Sequence, residues 1–193
     1  TNNNDILLTS PVTLTGPVQF APGSGKISFT STLSAGSNPL TLTAGEIDFG
    51  GQVTGSSTLI LQPASATDNI IIGGSNNTTP ALDLTTTELG NIQNGFTSIT
   101  IGRSDSSSAI TMAGDVTFSD PVIIQSPTGT GTINTRGFTI NGSDNATITL
   151  LANQDITTGN ITAVPGITIT STTGKIDTSA GTIDSSSSTA AGG

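Results

Sequence analysis

Apolar and polar residues alternate over short stretches of this chain, and the stretches recur. Val12-Thr13-Leu14-Thr15, Leu40-Thr41-Leu42-Thr43, Ile99-Thr100-Ile101 and Ile167-Thr168-Ile169-Thr170 all repeat every second residue. A period of two is that of an extended strand, with Leu, Ile, Val or Phe on one face and Thr on the other. Thr suits the outer face because its branched Cβ favours extended backbone. Denser apolar runs such as Ile6-Leu7-Leu8, Leu59-Ile60-Leu61, Ile70-Ile71-Ile72 and Val122-Ile123-Ile124 are too short for helices and well sized for strands. Gly, Asn, Ser and Pro fill the intervals. Only Thr85-Thr86-Thr87-Glu88-Leu89 looks helical, and Asn91 and Gly95 limit it to a single turn.

A unit of the form Gly-x-Ile-polar recurs. It appears in Gly25-Lys26-Ile27-Ser28-Phe29 and Gly45-Glu46-Ile47-Asp48-Phe49, and again from Gly131, Gly159, Gly174 and Gly181. The step from Gly25 to Gly45 matches one solenoid coil, which takes roughly 20 residues or more. Later spacings are uneven, as loop insertions would make them. Many short strands fit either an antiparallel β-sandwich or a parallel β-helix. The six Phe residues are spread about one per coil rather than gathered into a sandwich core, and with the weak self-similarity they favour the β-helix. Eight or nine coils stacked about 4.8 Å apart would form a rod of roughly 40 Å. Residues 1–184 read as this repeat domain and 185–193 as a Ser/Gly-rich linker or tail. Segments 73–80 and 103–108 read as loops.

Composition sharpens the picture. Only 9% of residues are charged, against about a quarter in ordinary domains. The 32% that are hydrophobic, being clustered, argue against disorder. The net charge is −9, and the four cations, Lys26, Arg103, Arg136 and Lys175, lie far apart. Nucleic-acid binding needs clustered Lys and Arg to neutralise phosphates, so no nucleic-acid partner is expected. An anionic membrane surface is disfavoured for the same reason, and no apolar run approaches the roughly 20 residues of a spanning helix. With no cysteine there is neither disulfide nor thiolate chemistry. No signal peptide opens the chain at Thr1, which reads as a mature or excised piece of something longer.

Residues 81–124 resemble a module of very large bacterial surface proteins. The resemblance lies in Ala81-Leu82-Asp83-Leu84-Thr85-Thr86-Thr87-Glu88-Leu89, in Asn94 to Arg103, and in Asp115-Val116-Thr117-Phe118 with Asp120-Pro121-Val122. The Leu42-Thr43-Ala44-Gly45-Glu46-Ile47 and Gly159-Asn160-Ile161-Thr162 stretches are similar to repeats of filamentous-haemagglutinin-like adhesins. That resemblance implies a right-handed parallel β-helix, secretion, an extracellular place on the bacterial cell surface, and a stalk or scaffold role. It implies no catalytic residue. The partners expected are neighbouring repeats of the same polypeptide or identical subunits, with surface glycans of a host or neighbouring cell as a further class.

The candidate chemistry is sparse. His and Tyr, common acid-base groups, are absent. Glu46 and Asp48 share one side of a strand and could form a carboxylate pair for glycoside hydrolysis; a solvated strand edge is the plainer reading. Lys26, one coil earlier, would make a cross-coil ion pair there. No catalytic, cofactor-binding or metal-ligating set is expected, and no cofactor. Calcium enters only through Asp115 with Asp120, or Asp105 with its serines, against ordinary turn chemistry in which Asp and Ser bond their own backbone. Asn77-Thr78-Thr79, Asn141-Gly142-Ser143, Asn145-Ala146-Thr147 and Asn160-Ile161-Thr162 match the glycosylation sequon, as so Asn- and Thr-rich a chain would by chance. Thr13/Thr15, Thr41/Thr43 and Thr168/Thr170 could form a hydroxyl ladder of the kind that binds ice, if they lie in register on one flat face. The functional expectation is a non-catalytic structural segment, with a carbohydrate- or ice-binding module as alternative and a polysaccharide-degrading enzyme last.

Overall fold

The structure, a computed structural model, describes residues 3–76 and 81–186. The sequon at Asn77 and the tail beyond Ser186 lie outside the described residues.

The chain winds as a parallel β-solenoid with three strands per coil. The first three coils run β1 (Ile6–Leu8), β2 (Val12–Thr13), β3 (Val18–Phe20), β4 (Lys26–Phe29), β5 (Leu33–Ser34), β6 (Leu40–Ala44), β7 (Glu46–Phe49), β8 (Val53–Thr54) and β9 (Thr58–Pro63). An irregular coil follows, with β10 (Asn69–Ile72), β11 (Ala81–Leu84), α1 (Thr86–Asn91) and β12 (Ser98–Ile101). Regular winding then resumes. It comprises β13 (Ala109–Met112), β14 (Val116–Phe118), β15 (Val122–Ser126), β16 (Thr132–Asn134), β17 (Thr139–Gly142) and β18 (Ile148–Ala152). The last strands are β19 (Ile156–Thr157), β20 (Asn160–Ala163), β21 (Ile167–Ser171), β22 (Ile176–Asp177) and β23 (Ile183–Asp184).

Stacking divides the strands among three faces. The first holds β1-β4-β7 and then β11-β10-β13-β16-β19-β22. The second holds β2-β5-β8 and then β14-β17-β20-β23. The third is a single unbroken sheet of seven strands, β3-β6-β9-β12-β15-β18-β21. Among the described residues every strand pairing is parallel, which excludes the antiparallel sandwich. The expected coil step is observed, since Lys26 pairs with Glu46 and Ile27 with Ile47. The first face, nine strands deep, spans about 40 Å at the usual strand spacing.

The alternation seen in the sequence produces the core. On the third face Leu40, Leu59, Ile99, Val122 and Ile148 stack in register with their side chains inside. Leu42, Leu61, Ile101, Ile124 and Leu150 form a second inner column beside them. Ile110, Ile133 and Ile156 do the same on the first face, and Val116, Ile140 and Ile161 on the second. No coil can bury its apolar side alone; each closes its neighbour. Near the start of the winding Phe29 lies edge-on to Phe20 at 5.7 Å and stacks on Phe49 at 6.0 Å.

Acidic and amide side chains at the corners tie coil to coil. Asp5 accepts the Lys26 N–H at 2.7 Å, Asp115 the Thr139 N–H at 2.7 Å and Asp155 the Lys175 N–H at 2.8 Å, each one coil on. These Asp residues take up backbone donors where the ladder ends, rather than closing their own turns. Gly36 is a tight corner of a different sort. Its φ of +57° is a left-handed conformation that a Cβ disfavours, and its neighbourhood is otherwise roomy. Gly36→Ala is therefore expected to destabilise by about 1 kcal/mol through backbone strain alone, measured by urea unfolding.

The irregular coil departs from the sequence expectation. β10 follows β9 in the chain, but β11 lies between β7 and β10, so the chain steps one level past its place and then back. The segment read as a single helical turn is a six-residue helix that continues to Asn91. A capping box explains its extent: the Glu88 N–H donates to Thr85 Oγ1 at 3.2 Å, and the Thr85 N–H donates to Glu88 Oε2 at 2.8 Å. The helix takes the place of a strand on the second face, and Ile92 just beyond it bridges to Val53. Among the described residues no helix is long and apolar enough to cross a membrane.

Candidate functional site: an acidic seam

Among the described residues the ladder of the first face is interrupted between β7 and β11, which touch without pairing. Four carboxyl groups meet at that seam. Glu46 and Asp48 project from β7 on the same side, as the period of two requires. Asp83, wholly buried, comes from β11, and Glu88, 6% exposed, from α1. One carboxylate oxygen from each of Glu46, Asp48 and Glu88 lies within 4.8 Å of the others.

The charge is only partly compensated. Lys26, one coil below, reaches Asp48 Oδ2 with Nζ at 2.6 Å, and this ion pair raises the lysine pKa. With the lysine side chain 42% exposed, such a pair contributes at most about 1 kcal/mol. Burial pushes the Glu46 carboxyl up to about 8, the Ile47 N–H opposes the shift, and the charges of Asp48, Glu88 and Asp83 add to it. Burial also raises Glu88, against its capping bonds from Thr85, and the Asp48 carboxyl reinforces the rise. Glu46 is thus largely protonated at neutral pH. The buried Asp48 Oδ1 has no hydrogen-bond partner among the described residues.

Beside the seam an open cleft of about 400 Å³ is lined by Asp48, Phe49, Gly74, Ser75, Thr85 and Glu88, among others. The seam presents oxygen ligands of the type that hard divalent cations take. It also carries its own counter-charge in Lys26 and the proton on Glu46, and Glu88 Oε2 is engaged by both the N–H and the hydroxyl of Thr85.

The sequence pointed to Glu46, Asp48 and Lys26, and the structure brings all three together. It missed Asp83 and Glu88, which lie far along the chain and arrive only because β11 folds back. The Thr85-x-x-Glu88 spacing was the available signal for the helix start. The acids considered for calcium do not gather. Asp115 accepts the Thr139 N–H, and Asp120 accepts the N–H groups of Gly95 and Phe96 at 2.9 and 3.0 Å. Asp105 grips Arg103 through two bonds of 2.7 and 2.9 Å, which hold its carboxyl below the usual range. The threonine pairs also separate. Thr41/Thr43 and Thr168/Thr170 lie near opposite ends of the third face, with Ile60 and Ile123 between them in the same outer row, while Thr13 is on the second face.

No family model, curated protein or solved structure matches the chain.

Proposed function

We propose that this chain is a non-catalytic rod segment of a secreted bacterial surface protein, an adhesin stalk, filament or coat, continued at its ends by identical subunits or further coils. The observation that carries this reading is the state of the two end coils. The inner apolar columns run to both ends and stop uncovered, leaving Ile176 46% and Ile183 36% exposed, with Ile6, Leu8, Val12 and Val18 only partly buried. Among the described residues β1, β2 and β3 at one end, and β21, β22 and β23 at the other, pair on one side only. Open strand edges of this kind template further strands.

The seam supports a structural role as well, since Glu88 is engaged in a helix cap and Asp48 in an ion pair. The mechanism is mechanical: continuous ladders and a shared aliphatic interior make a stiff rod that needs no cofactor.

Electron microscopy at rising protein concentration tests the reading. Rods growing end to end in steps of about 40 Å per copy are expected. Ile176→Lys with Ile183→Lys, which charges the last coil, is expected to stop the growth without lowering the melting temperature. Single rods that never lengthen would overturn end stacking. Turnover of a polysaccharide that disappears in Glu46→Ala and Asp48→Ala would make the seam an active centre instead.

A further inference from the structure

The seven strands of the third face contain no Asp, Glu, Lys or Arg, and neither do the residues immediately before and after each strand. This is unlike the first face, where Lys26, Glu46, Asp48, Asp83 and Asp177 lie on strands. The outward row of the third face reads Gln19, Thr41, Ile60, Thr100, Ile123, Thr149 and Thr168 in continuous register. A second outward row includes Gln62, Gln125 and Leu151. Bulky aliphatics thus stand outward on an uncharged sheet in a chain of net charge −9.

We infer that this face is a lateral pairing surface for a second copy of the same chain, laid sheet against sheet. Two arguments select that occupant. A chain of net charge −9 repels its own copies, and burying the charges of its first face would add a desolvation cost; on the third face two copies meet with no charged strand residue at the contact and without that desolvation cost. The second argument is area. Seven strands of about five residues present roughly 500 Å² per copy, or about 1,000 Å² for a pair, the lower limit for a specific interface. The pairing is therefore reversible. It is also distinct from end stacking, because it widens the rod instead of lengthening it.

Symmetry gives the contact a centre. A two-fold pair uses the same patch on both copies. β12 is the middle strand of the seven. Whether the two-fold axis runs along the strands or along the rod, Thr100 of one copy faces Thr100 of the other.

The experiment uses the absence of cysteine from the chain. Thr100→Cys treated with a short bis-maleimide is expected to give a covalent dimer, while Thr117→Cys, exposed on the second face, gives none. Solution X-ray scattering on the uncross-linked Ile176→Lys, Ile183→Lys protein, whose ends no longer stack, should show the cross-section doubling with concentration at constant length. Ile60→Lys with Ile123→Lys should abolish both signals. Thr149→Lys alone, also outward, should weaken both, which guards against misfolding of the double variant. Equal cross-linking at positions 100 and 117, a cross-section that does not change with concentration, or lysine variants that pair like the parent would each overturn the inference. So would retention on an insoluble neutral polysaccharide that the lysine variants lose while no dimer forms, because that assigns the face to a different occupant.

Discussion

Replacing Asp120 by Ala is expected to cost about 4 kcal/mol of unfolding free energy, a large share of a domain's total. Its carboxylate is 2% exposed and accepts the N–H groups of Gly95 and Phe96, 24 to 25 residues earlier in the chain. Bonds from a backbone N–H to a buried charge contribute about 1.5–3 kcal/mol each. Removing the acceptor strands the buried Phe96 N–H, whereas Gly95 is exposed and can turn to water. The same bonds fix where the chain leaves α1 and enters β12, so Phe96, itself 1% exposed, loses its anchor. Asp120→Asn keeps one acceptor oxygen and should cost about half as much. Equilibrium unfolding in urea measures both, and hydrogen exchange at Phe96 reads the loss locally if the coils do not melt together. An Ala variant within 1 kcal/mol of the parent would show that water replaces the carboxylate.

Stability is expected to fall as the pH rises from about 4.5 to about 8, because of the acidic seam. Glu46 has an ordinary value of 4.5 and is pushed up to about 8 in the fold, first by burial and then by its acidic neighbours. Between those values the folded chain holds a proton that the unfolded chain has released, so the unfolding free energy declines with pH. The contribution is complete below 4.5 and lost once the pH passes the folded value. Glu88, also raised, acts in the same direction. Solvent screening at the partly exposed Glu46 reduces the effect to about 2 kcal/mol. Glu46→Gln, a neutral mimic of the protonated acid, should match the parent near pH 4.5 and exceed it by about that amount at pH 9. Lys26, whose pKa is raised by Asp48, stays charged through this window and cannot reverse the sign. Parallel melting curves for parent and variant from pH 5 to 9 would show that the seam is wetter than its burial implies.

The regular coils were legible because one chemical rule repeats. Leu40 and Leu42 point inward and Thr41 outward for the same reason as Ile167, Ile169 and Thr168, and Gly25 to Gly45 marks the coil length directly. The irregular coil was not legible. Ala81-Leu82-Asp83-Leu84 alternates like any other strand, and nothing in four residues says that they slip beneath β10 rather than above it. Asp83 and Glu88 therefore could not be placed beside Glu46 and Asp48. An acid at a corner was misread in a related way. Asp115 looks like a turn residue, but the donor it serves is a whole coil later, a distance set by winding and not by local spacing. Asp177 and Asp184, in the last strands, do bond locally, to Ser179 and Ser186.

The misplaced strand also has a geometric outcome. Between β7 and β13 the first face holds two strands, while between β9 and β15 the third face holds one. One flank of the winding is longer than the other by a single strand spacing, about 4.8 Å. If that spacing is kept on both faces, the half before this point and the half after it meet at an angle. Copies joined tip to tip would trace an arc, bowed outward on the side of the acids, and a filament made of them would coil like a spring.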